Sequence, residues 1–324
     1  MDSLSRDDRD KHLITRGNVD GLVSAALFLN RFPSAKVSFV TSPRAAGQSL
    51  ARDRTSSEIF LVDIALVPDV LRSASSHRDH QRVLAIDHHP SSVAEKIDGV
   101  KVVEEGMSAA GVLYHYLHST PHLKRIVAIA DLIEYCDTAV LTEVMRKHGA
   151  QKVDEESKVL DFSWRLDIED DVFRSIACKH LAEGLWPSQV PAIKRRYVQV
   201  VNEQRWPKAL ARVKAGLRVQ GPVGIFHNNE KNRSLYGFGT RALVEVAARR
   251  GCDYALMVNA RRESASVSIR GMNPRGMDVG RFVEGFISTH GLEGGGHPSS
   301  AGARIPLEVA SRFEGDFVSA AITR

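Results

Sequence analysis

Short apolar runs alternate with amphipathic segments through the first half of the chain. Four runs rich in Val, Ile, Leu and Phe have the composition of strands: His12–Thr15, Lys36–Thr41, Ile59–Val62 and Arg82–Ile86. The segments around them have helical composition: Val19–Asn30, Pro43–Arg52, Pro68–Ser76, Ser108–His118 and Leu123–Tyr135. Strands that alternate with helices predict an α/β fold built on a doubly wound, mostly parallel sheet.

A second, smaller βα pattern follows a helical stretch. Residues 151–190 are first acidic and then helical, and residues 190–218 are basic. The next strands and helices are predicted at 222–226, 240–250, 254–260, 264–270 and 278–289. A glycine loop, Gly294–Gly296, precedes a final strand and helix. We therefore expect a first domain at 1–150, a helical connector at 151–218 and a smaller α/β domain at 219–324.

The composition is that of a soluble globular protein. Of the 324 residues, 43% are hydrophobic and 26% are charged. No run approaches the roughly 18 apolar residues of a membrane-spanning helix, and the charged N-terminus lacks the apolar core of a secretion signal. These features predict a cytoplasmic protein without a membrane partner. Cys136, Cys178 and Cys252 lack zinc-type spacing, so we expect reduced thiols.

The positive net charge of +5 resides in the second half of the chain. A basic half suits an anionic ligand, and nucleic acid is the obvious candidate. Many proteins without a polyanionic partner have a similar imbalance, so the charge alone does not identify the ligand.

Acidic residues occur where the predicted strands end. Asp20, Asp63 and Asp87 each follow a strand, His88 comes next to Asp87, and Asp131 lies in a predicted helix. In parallel sheets, ligands bind beyond the carboxyl ends of the strands. Carboxylates and one imidazole from separate segments suit a divalent cation, manganese or magnesium rather than zinc. For any single acid, a helix cap or turn is an equal alternative.

The order of these motifs resembles the DHH phosphoesterase superfamily. The first part of the resemblance consists of Val19-Asp20-Gly21, Asp63, Asp87-His88-His89, and the pair Ser108–Val112 and Ala128–Asp131, which is similar to the family's fourth motif. The segment GGGHPSSAG at 294–302 resembles the GGGHxxAAG motif of the DHH-associated C-terminal domain, and residues 266–270 are similar to its substrate-contacting strand. The resemblance extends from about residue 11 to about residue 320. The two motifs in this order are far more specific than either alone.

The resemblance implies two α/β domains that face each other across a cleft. The first would carry one or two Mn²⁺ ions, and the second would hold a nucleotide or a nucleic-acid end. Members include RecJ-type single-strand exonucleases, nano-RNases that degrade very short oligonucleotides, and cyclic-dinucleotide phosphodiesterases. All hydrolyse a phosphoester or phosphoanhydride with metal-activated water, because the metal lowers the pKa of water and neutralises phosphoryl charge.

The first motif departs from the family pattern. Many members read His-x-Asp-x-Asp-Gly, whereas this chain has Arg16 at the His position and Asn18 at the first Asp position. The resemblance then implies one complete metal site, with the ligands Asp20, Asp63, His88 and Asp131. We expect one firm Mn²⁺ (or Mg²⁺) site and a second that is weak or absent, with Asn18 as a weak neutral ligand. Arg16 can bind phosphate but cannot activate water.

Residues near the C-terminus are candidate substrate contacts: Ser268, Arg270, Gly295, Gly296 and His297. Glycines let backbone amides approach a phosphate, Arg270 can donate two hydrogen bonds to it, and His297 can donate one. His89 is expected to orient the metal site or to contact phosphate. Without the resemblance, a flexible loop and a surface ion pair are the better interpretations of the glycines and of Arg270.

Together these inferences predict a Mn-dependent phosphodiesterase or exonuclease acting on single-stranded RNA or DNA, on short oligonucleotides or nucleotides. The expected catalytic residues are Asp20, Asp63, His88, His89 and Asp131. Short substrates are favoured because the chain has no obvious added oligonucleotide-binding barrel. Two alternatives stay open: a catalytically impaired binding or scaffold protein, which the altered first motif favours, and a phosphatase of a small nucleotide. The sequence does not determine the polarity of cleavage or whether the protein forms a homodimer.

Overall fold

The chain divides into two compact units, Met1–Gln199 and Val200–Arg324. The computed structural model of the protein describes residues 8–76, 81–89, 96, 99–228, 235, 237–273 and 275–323, with the backbone alone for Glu293 and His297. Each unit has its own sheet and its own hydrophobic core. No helix in the described ranges is long and apolar enough to cross a membrane.

The sheet of the first unit is entirely parallel. Its strands are β1 Lys11–Arg16, β2 Lys36–Val40, β3 Glu58–Val62, β4 Arg82–Asp87 and β5 Gly99–Val103. Their order is β2-β1-β3-β4-β5. The sequence pattern did not indicate β5, because none of its residues is fully buried.

Helices cover both faces of this sheet: α1 Val19–Arg31, α2 Pro43–Arg52, α3 Pro68–Ser75, α4 Ala109–Tyr116 and α5 Lys124–Ile133. Phe60 and Val62 of β3 pack with α1, α4 and α5, whereas Ile59 and Leu61 pack with α2 and α3. Alternate side chains of a strand point to opposite faces, so the sheet is buried on both sides. The predicted doubly wound parallel sheet is thereby confirmed.

Further helices complete the first unit: α6 Ala139–His148, α7 Ala150–Trp164, α8 Asp171–Leu181 and α9 Pro191–Asn202. Leu160, Phe173 and Ile193 are buried in the core that also contains α1 and α5. The first unit therefore includes most of the segment for which we expected a connector.

The second unit combines a mixed sheet with helices. Its strands are β6 Arg218–Gln220, β7 Val223–Asn228, β8 Tyr254–Ala260, β9 Ser264–Gly271, β10 Glu293–His297 and β11 Ser300–Pro306. Its helices are α10 Arg205–Gly216, α11 Gly239–Ala248, α12 Val279–His290 and α13 Leu307–Ile322. The strand order is β10-β11-β9-β8-β7-β6, and only β7 and β8 pair in parallel. The predicted smaller α/β unit is confirmed.

The two faces of β9 differ in chemistry. Val267 and Ile269 are buried in the core formed with α12 and α13. On the opposite face, Ser266, Ser268 and Arg270 are exposed or half-buried. This face of the strand is therefore polar and accessible to a ligand.

The glycine segment predicted as a loop is a strand. Glu293–His297 forms β10, which pairs antiparallel with β11 at the edge of the sheet. A Cβ on Gly296 would lie 2.2 Å from the carbonyl oxygen of Ser300. By contrast, Gly295, with a φ of 148°, has no atom within 4 Å of a Cβ placed on it. The loop prediction is wrong because a closely packed neighbouring strand requires glycine just as a tight turn does.

A buried polar cluster surrounds His12 near the amino end of β1. Its Nδ1 contacts Asp53 Oδ2, and its Nε2 is 2.8 Å from Ser38 Oγ. The Asp53 carboxylate also accepts hydrogen bonds from Thr55 N and Ser56 N, each at 3.0 Å. Burial favours a raised pKa of Asp53, but the hydrogen bonds from Ser56 and Thr55 outweigh burial and hold that pKa well below its usual value. Folding thus stabilises the charged carboxylate.

We expect Asp53→Asn to lower the free energy of unfolding by about 2 kcal/mol at neutral pH, since hydrogen bonds to a buried charge are lost. The folded-state pKa of Asp53 lies below the unfolded value near 4, so its contribution is complete above about pH 5 and declines as the pH falls. Urea unfolding at about pH 6 and about pH 3 should show the difference from wild type shrinking. Glu155→Gln, which changes an exposed acid of α7, is the control. A difference independent of pH would contradict this account.

Candidate metal centre

Three buried acidic residues lie where strands of the first sheet end. Asp63 follows β3, Asp87 is the last residue of β4, and Asp20 lies in the first turn of α1, just beyond β1. Their exposed fractions are 0–2%. Asp63 has a φ of 56°, in the left-handed region that Asp tolerates better than most residues. Buried carboxylates need hydrogen bonds or positive charge nearby.

Histidines from the loop after β4 converge on these carboxylates. One ligand atom from each of Asp63, Asp87, His88 and His89 lies within 4.8 Å of the others. His88 Nε2 is 3.5 Å from Asp63 Oδ1 and 3.9 Å from Asp20 Oδ2. The structure therefore brings together three of the four expected ligands, Asp20, Asp63 and His88.

The ring of His88 is held in one orientation. Its Nδ1 is 3.1 Å from the carbonyl oxygen of Met107, which can only accept, so Nδ1 donates and Nε2 faces the carboxylates. Burial opposes a charge on this ring, but the contacts of His88 with Asp63 and Cys136 outweigh burial and raise the pKa of His88 to about 12. The centre thus favours positive charge at this position.

His89 is oriented by Asp87, the first residue of the Asp87-His88-His89 motif. Its Nδ1 lies 2.7 Å from Asp87 Oδ1, and its ring contacts that of His88 edge to face, with centroids 4.9 Å apart. Because the carboxylate accepts from Nδ1–H, the His89 ring is held in one orientation relative to Asp87.

The carboxylate of Asp20 also binds the start of α4. Its Oδ2 accepts a hydrogen bond from Ala109 N at 2.9 Å, and its Oδ1 accepts one from Ala110 N at 2.7 Å. The first N–H groups of a helix have no partner within it and attract negative charge. Burial and then the charge of Asp63 nevertheless raise the pKa of Asp20 well above its usual range. A cation here would offset the repulsion between the two acids.

Asp131 binds the same helix start but is not in the group of four. Its Oδ1 accepts hydrogen bonds from Ser108 N at 3.1 Å and Ser108 Oγ at 2.6 Å, and its Oδ2 accepts one from Thr138 Oγ1 at 2.7 Å. Ser108 Oγ in turn accepts from Gly111 N at 3.0 Å. Both oxygens of Asp131 thus have protein donors, and its role as a metal ligand stays a prediction.

An orphaned oxygen completes the case for a cation. Asp63 Oδ2 is buried and has no hydrogen-bond partner among the described residues, which is costly for a charged group. Oxygen ligands with one imidazole are the donors that Mn²⁺ and Mg²⁺ accept. The donor set therefore fits a divalent cation. The clustered residues that would hold it are Asp63, Asp87 and His88, with His89 beside them. Asp20, like Asp131, has protein donors on both oxygens, and its role as a metal ligand stays a prediction.

The altered first motif forms the turn from β1 to α1. Asn18 is the N-cap of α1, and its Oδ1 accepts a hydrogen bond from Gly21 N at 2.8 Å. Gly21 is needed because a Cβ at this position would lie 1.8 Å from the carbonyl oxygen of Arg16. The half-buried Arg16 side chain has no hydrogen-bond or ion-pair partner within the described ranges. A cation so placed suits an anionic ligand.

The substrate residues predicted near the C-terminus lie on one sheet. Ser268 and Arg270 are on β9, and Gly295 and Gly296 are on β10, with β11 between the two strands. Arg270 is half-buried and donates one hydrogen bond of 3.0 Å to a backbone carbonyl. The side chain of His297 lies outside the described part of the chain. The binding role of all five stays a prediction.

Sequence reasoning missed three contributors to the centre. It gave no ligand role to Asp87, although its position at a strand end was an available signal. The thiol of Cys136 contacts His88, and burial raises its pKa. Arg174 of α8 donates from Nε to the carbonyl oxygen of Gly17 at 3.2 Å and so holds the first-motif turn. No local pattern could reveal this pair, since 157 positions separate the two residues.

Comparisons with known proteins bear on the fold. No family model and no curated protein matches the chain. A DHH-domain protein described as a member of the s1p family of ribosomal proteins superposes with a TM-score of 0.72 at 17% identity, over 97% of this chain and 87% of that one. RecJ from Thermus thermophilus in complex with Mn²⁺ superposes with a TM-score of 0.66 at 13% identity, over 97% of this chain and 52% of that one. PggH, a pGpG-specific phosphodiesterase from Vibrio cholerae, superposes with a TM-score of 0.57 at 16% identity, over 95% of this chain and 98% of that one. The chain therefore has the DHH phosphoesterase fold.

Proposed function

We propose that this protein is a metal-dependent phosphodiesterase that hydrolyses short single-stranded oligonucleotides. The observation that carries the proposal is the orphaned Asp63 Oδ2, buried beside His88 and close to Asp20. A buried carboxylate oxygen without a described donor favours a bound cation, and a cation at the carboxyl edge of a parallel sheet is accessible to a ligand. The likeness in fold to a phosphodiesterase of the dinucleotide pGpG supports a short substrate.

The residues of the centre have different roles in the proposed reaction. A bound Mn²⁺ or Mg²⁺ supplies a Lewis acid and lowers the pKa of a coordinated water. His88 needs no rotation to bind it, because Met107 already fixes the ring. Asp20 and Asp63 supply negative charge, and His89, oriented by Asp87, contacts the scissile phosphate.

Arg16 and Asn18 make the second metal site weak or absent. The oxygen of Asn18 is neutral and already caps α1, and the charge of Arg16 repels a further cation in the same turn. Arg16 instead donates to phosphate oxygens, for which a guanidinium has a matching geometry. The enzyme then works with one firm ion and one arginine in contact with the phosphate.

The polar face of the second sheet binds a neighbouring phosphate or the terminal nucleotide. The residues proposed for this role are Ser268, Arg270, Gly295, Gly296 and His297. Arg270 is the main contributor, because it is the charged residue on the polar face of β9, beside two serines. Gly295 offers open space in which a phosphate can approach the backbone.

Arg270→Ala should weaken the binding of a dinucleotide by about 10- to 150-fold, because a charge-assisted hydrogen bond contributes about 1.5–3 kcal/mol. Affinity for Mn²⁺ should not change, since Arg270 binds phosphate rather than the cation. Calorimetry measures both quantities. Arg312→Ala, which removes an exposed charge from α13, is the control. Unchanged dinucleotide affinity in Arg270→Ala would remove this face from the substrate site.

One experiment separates the proposed function from its alternatives. Labelled dinucleotides, long single strands and mononucleotides are incubated with Mn²⁺ or with a chelator, and the products are separated by chromatography. Metal-dependent cleavage of dinucleotides supports the proposal. Release of phosphate from mononucleotides alone would favour the small-nucleotide phosphatase. Binding without any cleavage would favour the scaffold, which the residues at positions 16 and 18 also favour.

A further inference from the structure

Helix α5 ends in a conformation that normally requires glycine. Beyond its C-cap, Glu134, Tyr135 N donates to Leu132 O at 3.3 Å and Cys136 N donates to Asp131 O at 2.9 Å. These two bonds form a Schellman motif, in which the residue after the cap is left-handed and is usually glycine. Here that residue is Tyr135, with a φ of 58°. The chain thus places a large side chain where it strains the backbone.

Within the described ranges, the ring of Tyr135 gains no interaction partner in return for this strain. It is 87% exposed, more than any other large hydrophobic side chain in the described ranges. Neither its ring nor its hydroxyl has a partner among the described residues. Strain that the fold does not need is typical of functional positions. Asp63, in the metal centre, is another residue with a positive φ.

The residues on both sides of Tyr135 interact with residues of the metal centre. The thiol of Cys136 contacts His88, and the carboxylate of Glu134 acts electrostatically on Asp20. The Cys136 amide also binds the backbone of Asp131. Tyr135 is therefore next in the chain to a residue that interacts with His88, and its exposed ring is a candidate to contact a group bonded to a phosphate at the centre.

We propose that the Tyr135 ring is a stacking surface for a nucleobase next to the scissile phosphate. This inference rests on the proposed function and assigns the contact with the base of the substrate to one residue. Every base has a flat face, and stacking on an aromatic side chain strengthens binding without regard to sequence. A chain of phosphates without bases would have no use for the ring.

The test measures stacking apart from catalysis. The probe is a dinucleotide that contains 2-aminopurine and a methylene group in place of the bridging oxygen, so that it is not hydrolysed. Its fluorescence should change on binding to the wild type and to Tyr135→Phe, which keeps the ring. Tyr135→Gly should lose that change and bind the probe about 5- to 150-fold more weakly. Its affinity for ribose 5-phosphate, which has no base, should stay the same.

A stability measurement distinguishes stacking from a structural role. Tyr135→Gly should raise the melting temperature by about 2–4 °C, because glycine adopts the left-handed conformation without strain. The matched control is His118→Gly, at the end of α4. His118 has a φ of 49° and a Schellman motif formed by His118 N to His115 O and Ser119 N to Tyr114 O, each 3.1 Å. It should gain similar stability and keep full affinity for the probe.

The outcomes separate this inference from the proposed function. Unchanged probe affinity in Tyr135→Gly would overturn the stacking role even if the enzyme cleaves dinucleotides. An equal loss of affinity for ribose 5-phosphate would overturn it too, because the centre itself would then be distorted. A change in oligomeric state with unaltered probe binding would assign the ring to a protein contact instead. Ring-dependent binding of the probe by a protein that cleaves nothing would support stacking and contradict the proposed function alone.

Discussion

Asp63→Asn should abolish hydrolysis and at the same time make the metal-free protein harder to unfold. Turnover is expected to fall by about 10³-fold or more, about 4 kcal/mol of transition-state stabilisation, because a neutral amide is a poor ligand for a hard cation. Stability is expected to rise because two unfavourable features disappear, the buried Asp63 Oδ2 that has no donor among the described residues and the repulsion between Asp63 and Asp20. Together we expect them to outweigh the weakened contact between Asp63 and His88. Opposite changes in activity and stability are the signature of a group retained for function.

Asparagine suits this experiment because it adopts a φ of 56° at position 63 as readily as aspartate does. Cleavage of a labelled dinucleotide, Mn²⁺ affinity and urea unfolding with a chelator are measured on each variant. His88→Ala should lose activity to a similar extent, and Glu155→Gln on α7 should keep it. Near-wild-type turnover in Asp63→Asn would show that the centre is misplaced. A less stable Asp63→Asn protein would show that the buried oxygen is satisfied by the fold.

The double variant Arg16→His with Asn18→Asp should bind two Mn²⁺ ions tightly where the wild type binds one. Both substitutions restore the residue types that hold the second ion in the family that this sequence resembles. Both also make the turn from β1 to α1 less positive. If the second ion assists the reaction, turnover should increase by at least about tenfold, the size of effect that supporting metal-site groups have. Calorimetric titration with Mn²⁺ gives the stoichiometry, and dinucleotide cleavage gives the rate.

The local structure allows both substitutions. Aspartate caps a helix as well as asparagine does, and the side chain of Arg16 has no partner to lose in the described structure. Asn18→Asp alone should show a weaker gain, because Arg16 remains. Arg44→His, at an exposed position of α2, should change neither quantity. Two tight ions in the wild type would refute the depleted site and remove the main reason to consider a scaffold.

The strands were predictable from the sequence where alternate residues, or nearly all residues, of the strand are buried. The strands β3 and β4 are nearly continuous apolar runs because helices cover both faces of the sheet. The same regularity made the acids at the strand ends predictable as neighbours, since parallel strands end at one edge. The strand β5 has no fully buried residue and gave no such pattern. The glycines of β10 suggested a loop because a sequence does not distinguish a turn from a close approach of two strands.

The hydrogen bonds of the site were not predictable. Nothing in the sequence assigns Asp131 to Ser108 and Thr138, or His88 Nδ1 to the carbonyl of Met107. Such pairs depend on distances between segments far apart in the chain. For the same reason the motifs predicted four metal ligands without distinguishing among them. In the structure, Asp20 and Asp131 have protein donors on both oxygens, whereas Asp63 has an oxygen with no donor among the described residues.

The contacts of Asp20 and Asp131 with α4 indicate which acidic residues would be retained in a descendant of this protein that no longer hydrolyses a substrate. Asp20 and Asp131 hold the first amides and the capping serine of that helix, so selection for folding alone would keep them. Asp63 is different, because we expect its left-handed backbone and its buried oxygen, which has no donor among the described residues, to destabilise a protein that never binds a cation. Neutral drift in a non-catalytic descendant would replace Asp63 early. Under the proposed function, selection for the chemistry would therefore be recognised by the retention of Asp63 rather than by that of Asp20 or Asp131.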